Sequence, residues 1–417
     1  MALHEPLHIV GPMGPRLDVD AWPANRKAGH ATVLDRWLLA PLQSMLEPAA
    51  VRIALWDGTS LYRSFTPPIA TVAIRDRATL LGLLWNRDLA FGEGYSSGRL
   101  DVEGDLVGLL EAIYRTSEAR AARGFSRLSA WRPNTQARSR HDIHQHYDLG
   151  NDFYRAWLDD EMVYTCAYFP DPQMSLEDAQ RAKMRHVCQK LCLRPGDRVV
   201  EAGCGWGSLA LYMARHYGAS VTAYNISREQ VLYARERARA EGLSGRVEFV
   251  EDDCRTIEDR FDVFVSVGML EHVGLAQFHT MGRVINRALE PRGRGLLHFI
   301  GRDVMYPLNP WIRRRIFPGA YPPTLTQVTS RIFEPWGLCV LDVENLRLHY
   351  ATTLKHWLER FERNIDQVRA RFDEPFVRAW RLYLAGSQAA FAVGWMQLFQ
   401  VTFAPGQSNN IPWIRPS

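Results

Sequence analysis

The chain has 417 residues, too many for one ordinary domain, so two are expected. Hydrophobic residues make up 47% of it, enough for real cores, which excludes an intrinsically disordered chain. The formal net charge of +4 is modest and almost wholly arginine, since Lys27, Lys183, Lys190 and Lys355 are the only lysines among 50 basic residues. Arginine forks suit phosphate, and a GC-rich coding sequence produces the same bias.

Met1 to Gly14 shows no basic region leading into an apolar core, so no signal peptide is expected. From 33 to 115, strand-like runs alternate with short helices in a compact α+β pattern. Val51 to Trp56 alternates and ends at the Asp57-Gly58 turn, and Thr71 to Ile74 is a second strand. Ala78 to Trp85 is helical in pattern, Gly92 to Tyr95 reads as a loop, and Val107 to Tyr114 reads as a helix. Between Arg115 and His141, seven arginines meet a single acid, Glu118. That composition predicts a linker, either a solvated tether or a segment lying on anionic lipid, where each basic residue contributes about 1 kcal/mol. Phe125 and Trp131 form no stacking platform, so nucleic acid is not an expected partner.

The second half has a βα rhythm. Strands are predicted at 198–202, 219–224, 246–251, 261–267 and 294–300, with helices at 208–217, 227–241 and 277–290. This implies an α/β, doubly wound, mostly parallel sheet with ligands at the carboxyl ends of its strands. From Leu382 to Ile414 no charged residue occurs, yet Ser387, Gln388, Gln397, Gln400 and Thr402 interrupt it. A buried helix and strand are expected there, not a membrane span.

The most informative run is Val199-Val200-Glu201-Ala202-Gly203-Cys204-Gly205-Trp206-Gly207: an acid-ended strand, then glycines at alternate positions, then a helix. Glycine turns sharply and lets a ligand reach main-chain N–H groups. GxGxG two residues after Glu201 is the usual turn of S-adenosylmethionine (SAM) methyltransferases, and differs from the GxGxxG of dinucleotide folds. After the second strand stands a neutral Asn225, with Ser227 as a helix cap and Gln230 one turn in. After the third stand Asp253 and Cys254, and after the fourth the run Ser266 to Gly274 carries Glu271 and His272. The fifth ends in His298-Phe299-Ile300-Gly301. The six cysteines (Cys166, Cys188, Cys192, Cys204, Cys254 and Cys339) lack the pairing of a secreted scaffold, which fits a reducing cytoplasm. No ligand spacing completes a metal site, so none is expected.

Together with His146 to Asn151, Tyr164 to Tyr168, Ile316 to Gly319, Asn345 to Tyr350 and Gln397 to Val401, these segments span essentially residues 140–417. The chain resembles the cyclopropane-fatty-acyl-phospholipid synthase family, which includes the mycolic acid cyclopropane synthases. Its N-terminal part resembles the extra domain of the bacterial phospholipid-acting members. The resemblance implies a class I SAM-dependent methyltransferase (Rossmann-like) domain at 141–417. It also implies an α+β lipid-associated domain at 1–125 and an Arg-rich linker at 126–140. It further implies a cytoplasmic enzyme, peripheral on the inner face of the cell membrane and, as its relatives suggest, a homodimer, acting on unsaturated phospholipid acyl chains.

In the implied reaction a cis alkene attacks the SAM methyl, and the carbocation loses a proton and closes to a cyclopropane. The implied proton acceptor is bicarbonate, held by Cys166, Glu271, His298, the backbone at Ile300, and Tyr350, with Glu271 also fixing His298. The implied cofactor set is Tyr164, Thr165, Gly203, Gly205, Asn225, Gln230, Asp253, Cys254 and Val267. Tyr168, Tyr350 and Phe169 are candidates to face the cation. An acyl chain drawn from a bilayer to its middle exposes roughly eight methylenes at about 0.8 kcal/mol each. An apolar channel is therefore expected, with Trp311, Tyr321, Trp380, Phe391, Trp395, Phe399 and Phe403 as candidate walls and Arg313 to Arg315 as a headgroup-facing edge or a solvated turn. Asn225 and Phe299 stand where the family usually has Thr, and Ala392 where many relatives have Arg. A reshaped cation pocket that sent the proton elsewhere would give a methylene- or methyl-branched chain instead of a ring.

Overall fold

The computed structural model describes residues 30–47, 49–121 and 149–408. The arginine-rich stretch at 126–140 and the His146 to Asp148 part of the first motif lie outside the described residues. The N-terminal module is a four-stranded sheet of β1 (Val51–Ala54), β2 (Ser60–Leu61), β3 (Ala70–Ile74) and β4 (Leu100–Gly104). Its order is β2-β1-β3-β4, with β1 and β3 parallel and the other pairs antiparallel.

Helix Arg77–Ser96 starts at Asp76, whose carboxylate accepts from Thr79 N at 2.8 Å. It runs through Gly92 to Tyr95, so the loop expected there is helix. The glycine at 92 serves a close approach and not a turn: a Cβ on it would lie 2.2 Å from the Trp311 indole. Helix Leu106–Ala121 follows β4 and runs past the expected end at Tyr114.

The second sheet has seven strands, β5 (Arg198–Ala202), β6 (Ser220–Asn225), β7 (Val247–Glu251), β8 (Phe261–Val267), β9 (Leu289–Gly301), β10 (Leu338–Asn345) and β11 (Gln397–Pro405). Their order is β10-β11-β9-β8-β5-β6-β7, parallel from β9 to β7, with β11 antiparallel to both its neighbours. The five predicted parallel strands are all present; β9 is longer than expected because it begins at Leu289. Helices Ser208–Tyr217, Arg228–Ala240 and Phe278–Ala288 connect them. From β5 the chain proceeds outward through β6 and β7, then returns to place β8 on the other side of β5. The crevice at the carboxyl ends of β5 and β8 is therefore the switch point where such sheets bind ligands.

The uncharged stretch from Leu382 forms the end of helix Glu374–Ala392 and then β11, buried as expected. Among the described residues, no helix is long and apolar enough to cross a membrane. Two apolar clusters lie against the seven-stranded sheet. A third joins the N-terminal module to Phe153, Trp157, Trp357 and helix Glu374–Ala392 in one continuous core. Arg378 fastens that junction, donating to Leu100 O at 2.9 Å and Asp101 Oδ1 at 2.6 Å while its guanidinium lies 4.4 Å from the Tyr95 ring centre.

Candidate active site

The loop after β5 is shaped by left-handed backbone. Gly203 has φ +86° and Gly205 φ +53°, and the space a Cβ on Gly205 would occupy is open. A Cβ on Gly203 would instead strike the Met269 side chain at 2.8 Å. Trp206 anchors the loop by donating to Asn151 Oδ1 at 2.7 Å. Asn225 holds it from the next strand, its Nδ2 donating to Gly205 O at 3.0 Å and to Gln230 Oε1 at 2.8 Å. Beneath the loop Glu201 is buried, and burial raises its carboxyl to about 8. Its Oε2 has no hydrogen-bond partner. A buried carboxylate oxygen without a donor fits a cationic group placed over the loop.

Beside the switch point lies a mostly apolar cavity of about 130 Å³ whose wall includes Thr165, Cys166, Glu271, His298, Ile300 and Tyr350. Residues from four separate segments thus converge, and all five residues implied for the anion are among them. Glu271 stands on the short helix Leu270–Val273 after β8, and its Oε1 accepts from Ile300 N. Burial raises its carboxyl to about 7. His298 is neutral: burial lowers it to about 3, helped by the charges of Lys183 and Lys190. Glu271 Oε2 and His298 Nε2 are buried and have no hydrogen-bond partner. With Arg302 Nε, also partnerless, the cavity wall holds three such atoms, and because buried polar atoms are satisfied in the great majority of cases they mark a place for a polar ligand.

One expected contact is corrected. Glu271 does not orient His298; Gln400 does, its Nε2 lying 2.9 Å from His298 Nδ1. The β9–β11 register pairs these two residues directly. Cys166 is buried, its Sγ within 3.0 Å of Ala167 O, and burial pushes the thiol well up, so it is a neutral donor. Tyr350 packs against Phe391, with ring centres 4.6 Å apart.

The segment carrying Tyr164 to Cys166 is fastened at three points. Tyr164 and Tyr383 hydroxyls are 2.8 Å apart, Gln180 donates to Thr165 O at 2.9 Å, and Ala167 N donates to Thr353 Oγ1 at 3.0 Å. Lys183 Nζ donates to Thr165 Oγ1 at 3.2 Å, and burial lowers this ammonium to about 8 against the pull of Asp159 and Glu201. Val267 is buried at the end of β8. Asp253 and Cys254 lie after β7, where Asp253 is bound on both oxygens by Arg255 at 2.8 and 2.6 Å.

Several wall assignments change. Phe391 and Trp395 line the cavity, whereas Tyr321, Phe399 and Phe403 pack in the core cluster on another face of the sheet. Trp380 belongs to an aromatic stack, 4.9 Å from Phe153, and Trp311 packs against Gly92 of the N-terminal module. Tyr168 stacks on His186 at 4.2 Å and Phe169 on His356 at 5.5 Å, and neither lines the cavity. Phe299 faces away from His298, toward Phe399 at 5.7 Å, as strand alternation requires. Arg315 pairs with Glu93 at 2.7 Å, so this part of the arginine run holds the N-terminal module.

The sequence reading missed Tyr114, Arg302 and Gln400. Tyr114 comes from the N-terminal module, yet lines the cavity and stacks on Trp395 at 5.9 Å. Arg302 is buried in the cavity wall; it donates to the carbonyls of Tyr306 and Pro307 at 3.1 and 3.2 Å, and its Nε has no partner. Among the described residues, no group of three or more His, Cys, Asp or Glu could hold a metal ion.

Residues 134–401 match the mycolic acid cyclopropane synthetase family, and residues 41–123 match a domain family of unknown function. A probable fatty acid methyltransferase of Pseudomonas putida is 37% identical over 387 residues, 90% of this chain and 97% of that protein. The chain belongs to the mycolic acid cyclopropane synthetase family. Within that family, the cyclopropane-fatty-acyl-phospholipid synthase of Escherichia coli K12 is 42% identical over 268 residues, covering 64% of this chain and 68% of that one. A crystal structure of a mycolic acid cyclopropane synthase complexed with SAH and CTAB superposes with TM-score 0.60 at 28% identity. It covers 63% of this chain and 97% of that one. The seven-stranded unit is accordingly a Rossmann-like class I methyltransferase fold.

Proposed function

We propose that this chain transfers a one-carbon unit from SAM to the cis double bond of an unsaturated phospholipid acyl chain, forming a cyclopropane with bound bicarbonate as proton acceptor. The observation that carries the reading is the pair of orphaned polar atoms, Glu271 Oε2 and His298 Nε2, in a mostly apolar cavity whose wall also holds the buried Arg302 guanidinium. A small planar acid anion fits that pair, with Cys166 and Tyr350 beside it; the Ile300 N–H is donated to Glu271 Oε1, so it positions that carboxylate and does not itself hold the anion.

SAM, when bound, supplies an electrophilic methyl: the alkene π pair forms the new C–C bond while the S–C bond breaks, and S-adenosylhomocysteine leaves. The chain's own residues then act on the proton. Neutral His298, donating through Nε2, and ionised Glu271, accepting an O–H, would hold a bicarbonate with a basic oxygen toward the acyl carbon. The held anion would take up one C–H proton, and the electron pair of that C–H bond would close the ring. An anion fixed in a dry cavity stabilises the positive charge that develops on the chain without capturing it. For the cofactor we assign Tyr164, Thr165, Gly203, Gly205, Asn225, Gln230, Asp253, Cys254 and Val267, with Glu201 Oε2 toward the cationic amino end. The open space at Gly205 and the partnerless Glu201 oxygen support this assignment.

We assign residues 1–125 to a lipid-associated domain, 126–140 to a linker and 141–417 to catalysis. The protein works peripherally on the cytoplasmic face of the membrane, as a homodimer. A second reading, methyl branching without ring closure, is supported by two relatives similar over nearly their whole length: that of Pseudomonas putida is named a fatty acid methyltransferase, and one of Mycobacterium tuberculosis, 30% identical over 416 residues, a tuberculostearic acid methyltransferase. Vesicles of unsaturated phospholipid with SAM test both. Mass spectrometry shows one added carbon, and proton NMR shows cyclopropane methylene signals if the first reading is right. Vinylidene or methyl-branch signals carry the second, and absence of any addition overturns both.

A further inference from the structure

Resting on that reading, we propose that the N-terminal module docks on the bilayer through Val33, Leu34, Trp37, Leu81 and Trp85. It then passes the acyl chain through the cavity behind them to the reaction pocket.

Among the described residues, seven of the thirteen exposed large hydrophobics fall between 33 and 85, including Trp37 at 68% and Trp85 at 93% exposure. Five of the seven fall on two helices, while Phe65 and Ile69 lie in the connection between β2 and β3. Helix Val33–Trp37 is clamped to the start of helix Arg77–Ser96 by Arg77, whose Nε donates to the buried Asp35 Oδ1 at 2.8 Å. The outward faces of two touching elements therefore carry Val33, Leu34 and Trp37 on one, Leu81 and Trp85 on the other. Indoles beside aliphatic side chains are the composition of a membrane-interface belt, with apolar rings in acyl chains and N–H groups among headgroups.

The same segments turn their other side to a cavity of about 640 Å³. Leu42 and Met45 come from the helix that continues from Trp37, Leu83 and Phe91 from helix Arg77–Ser96. That volume is in the range of ligand pockets, roughly 300–1,000 Å³, and the small reaction cavity alone could not house a long acyl chain. The two cavities share Tyr114, Leu308, Asn309 and Trp395 in their walls. Arg87, paired with Asp88 at 3.9 Å, and the exposed Arg313 also line the larger one, so Arg313 places a guanidinium donor for a phosphodiester beside an apolar interior. This continuity selects a lipid surface as the occupant: a protein seated on the indole face would cover the route by which a lipid substrate arrives.

Flotation with unsaturated phosphatidylethanolamine–phosphatidylglycerol vesicles tests the docking face. The wild-type chain is expected to float; Trp37→Ser with Trp85→Ser lowers partitioning at least tenfold and raises KM for vesicles about tenfold. SAM binding and turnover on the same lipid dispersed singly in detergent stay within twofold. Unchanged partitioning overturns the docking face, and a shift from dimer to monomer with unchanged partitioning makes it an interface between copies. Flotation lost by the variant, with no transfer to either form of lipid by the wild-type chain, would keep the docking face and overturn the proposed reaction.

The cavity has its own readout. A phospholipid with a mid-chain diazirine is expected to label peptides containing Leu42 to Leu46 or Leu109 to Thr116. Thr116→Trp, which fills the cavity, lowers vesicle turnover at least fivefold with partitioning unchanged. Labelling that avoids both peptides, or full vesicle turnover by Thr116→Trp, overturns the route.

Discussion

Gln400 Nε2 lies 2.9 Å from His298 Nδ1, on adjacent strands and with both side chains buried. With the Gln400 amide turned so that Nε2 donates, Nδ1 carries the lone pair and the ring proton is on Nε2. Gln400 thus decides what His298 can do: it is a hydrogen-bond donor toward the cavity and not a base. Replacing Gln400 by Leu removes the partner that selects this tautomer. A neutral hydrogen bond contributes about 1–1.5 kcal/mol, so kcat is expected to fall about tenfold with KM for SAM unchanged. Gln400→Glu can accept from Nδ1–H and stabilise an imidazolium, so its pH–rate profile gains a limb that the wild type lacks. Equal kcat for wild type and Gln400→Leu would remove Gln400 from this role.

Glu271 is held near 7 by burial, so its ionisation falls inside the working range. If ionised Glu271 accepts the anion's O–H, turnover at saturating SAM rises with pH through about 7. Glu271→Gln keeps the acceptor from Ile300 N but not the charge. It is expected to bind SAM normally, measured by calorimetry, while losing most turnover and the rising limb. A Gln variant with near-normal rate refutes the assignment.

Linkage gives a separate signature in the apoprotein. Glu201 ionises near 4.5 when unfolded but near 8 in the fold. The folded state therefore holds an extra proton between those values, and its contribution is present below about 4.5 and lost as pH rises toward 8. Lys183, lowered from 10.5 to about 8, acts in the next window: there the unfolded chain binds more protons, so stability rises with pH. Glu201→Gln is expected to flatten the fall of Tm between pH 5 and 8 (roughly the Glu201 window) and, by removing a charge that holds the Lys183 ammonium up, to start the alkaline rise at lower pH. A variant that follows the wild-type slope throughout would show that another group carries it.

Much of this was legible in sequence, and the reasons differ by element. β5 and β8 are apolar runs with turn signals at both ends, and their observed limits coincide with the predicted ones. Gly92 and Gly94 misled because a glycine's usual meaning is a turn, whereas Gly92 makes room for Trp311, more than two hundred residues away. The aromatic walls misled for a related reason: an aromatic stripe marks burial without saying which face of the sheet it covers. Phe399 and Gln400 are neighbours in sequence yet sit on opposite faces, so only the register with β9 assigns one to the core and the other to His298. Tyr114 carries no local signal at all; its place beside Trp395 depends on the module packing onto helix Glu374–Ala392.

Gly92 gives the sharpest packing test. A methyl there must displace the Trp311 ring, which is buried and framed by both units of the chain. Overpacking of this kind costs about 1–3 kcal/mol, so Gly92→Ala is expected to lower the urea midpoint with an unchanged m-value. Gly245→Ala, where nothing lies within 4 Å of the new Cβ, leaves it near wild type.

Phe299 separates product control from stability. It is fully buried against Phe399 on the face of β9 opposite His298 and Ile300, so it does not touch the reaction cavity. Phe299→Thr leaves a void and a hydroxyl in an apolar cluster, and large-to-small changes at such sites cost several kcal/mol, about 3–5 for Phe→Ala. Tm is expected to drop clearly. The ratio of ring to branched product, read by proton NMR below the variant's unfolding temperature, should match the wild type. Were that ratio to move, β9 would be transmitting core packing to the His298 side, and the outcome of the carbocation would depend on the whole strand and not on the cavity wall alone.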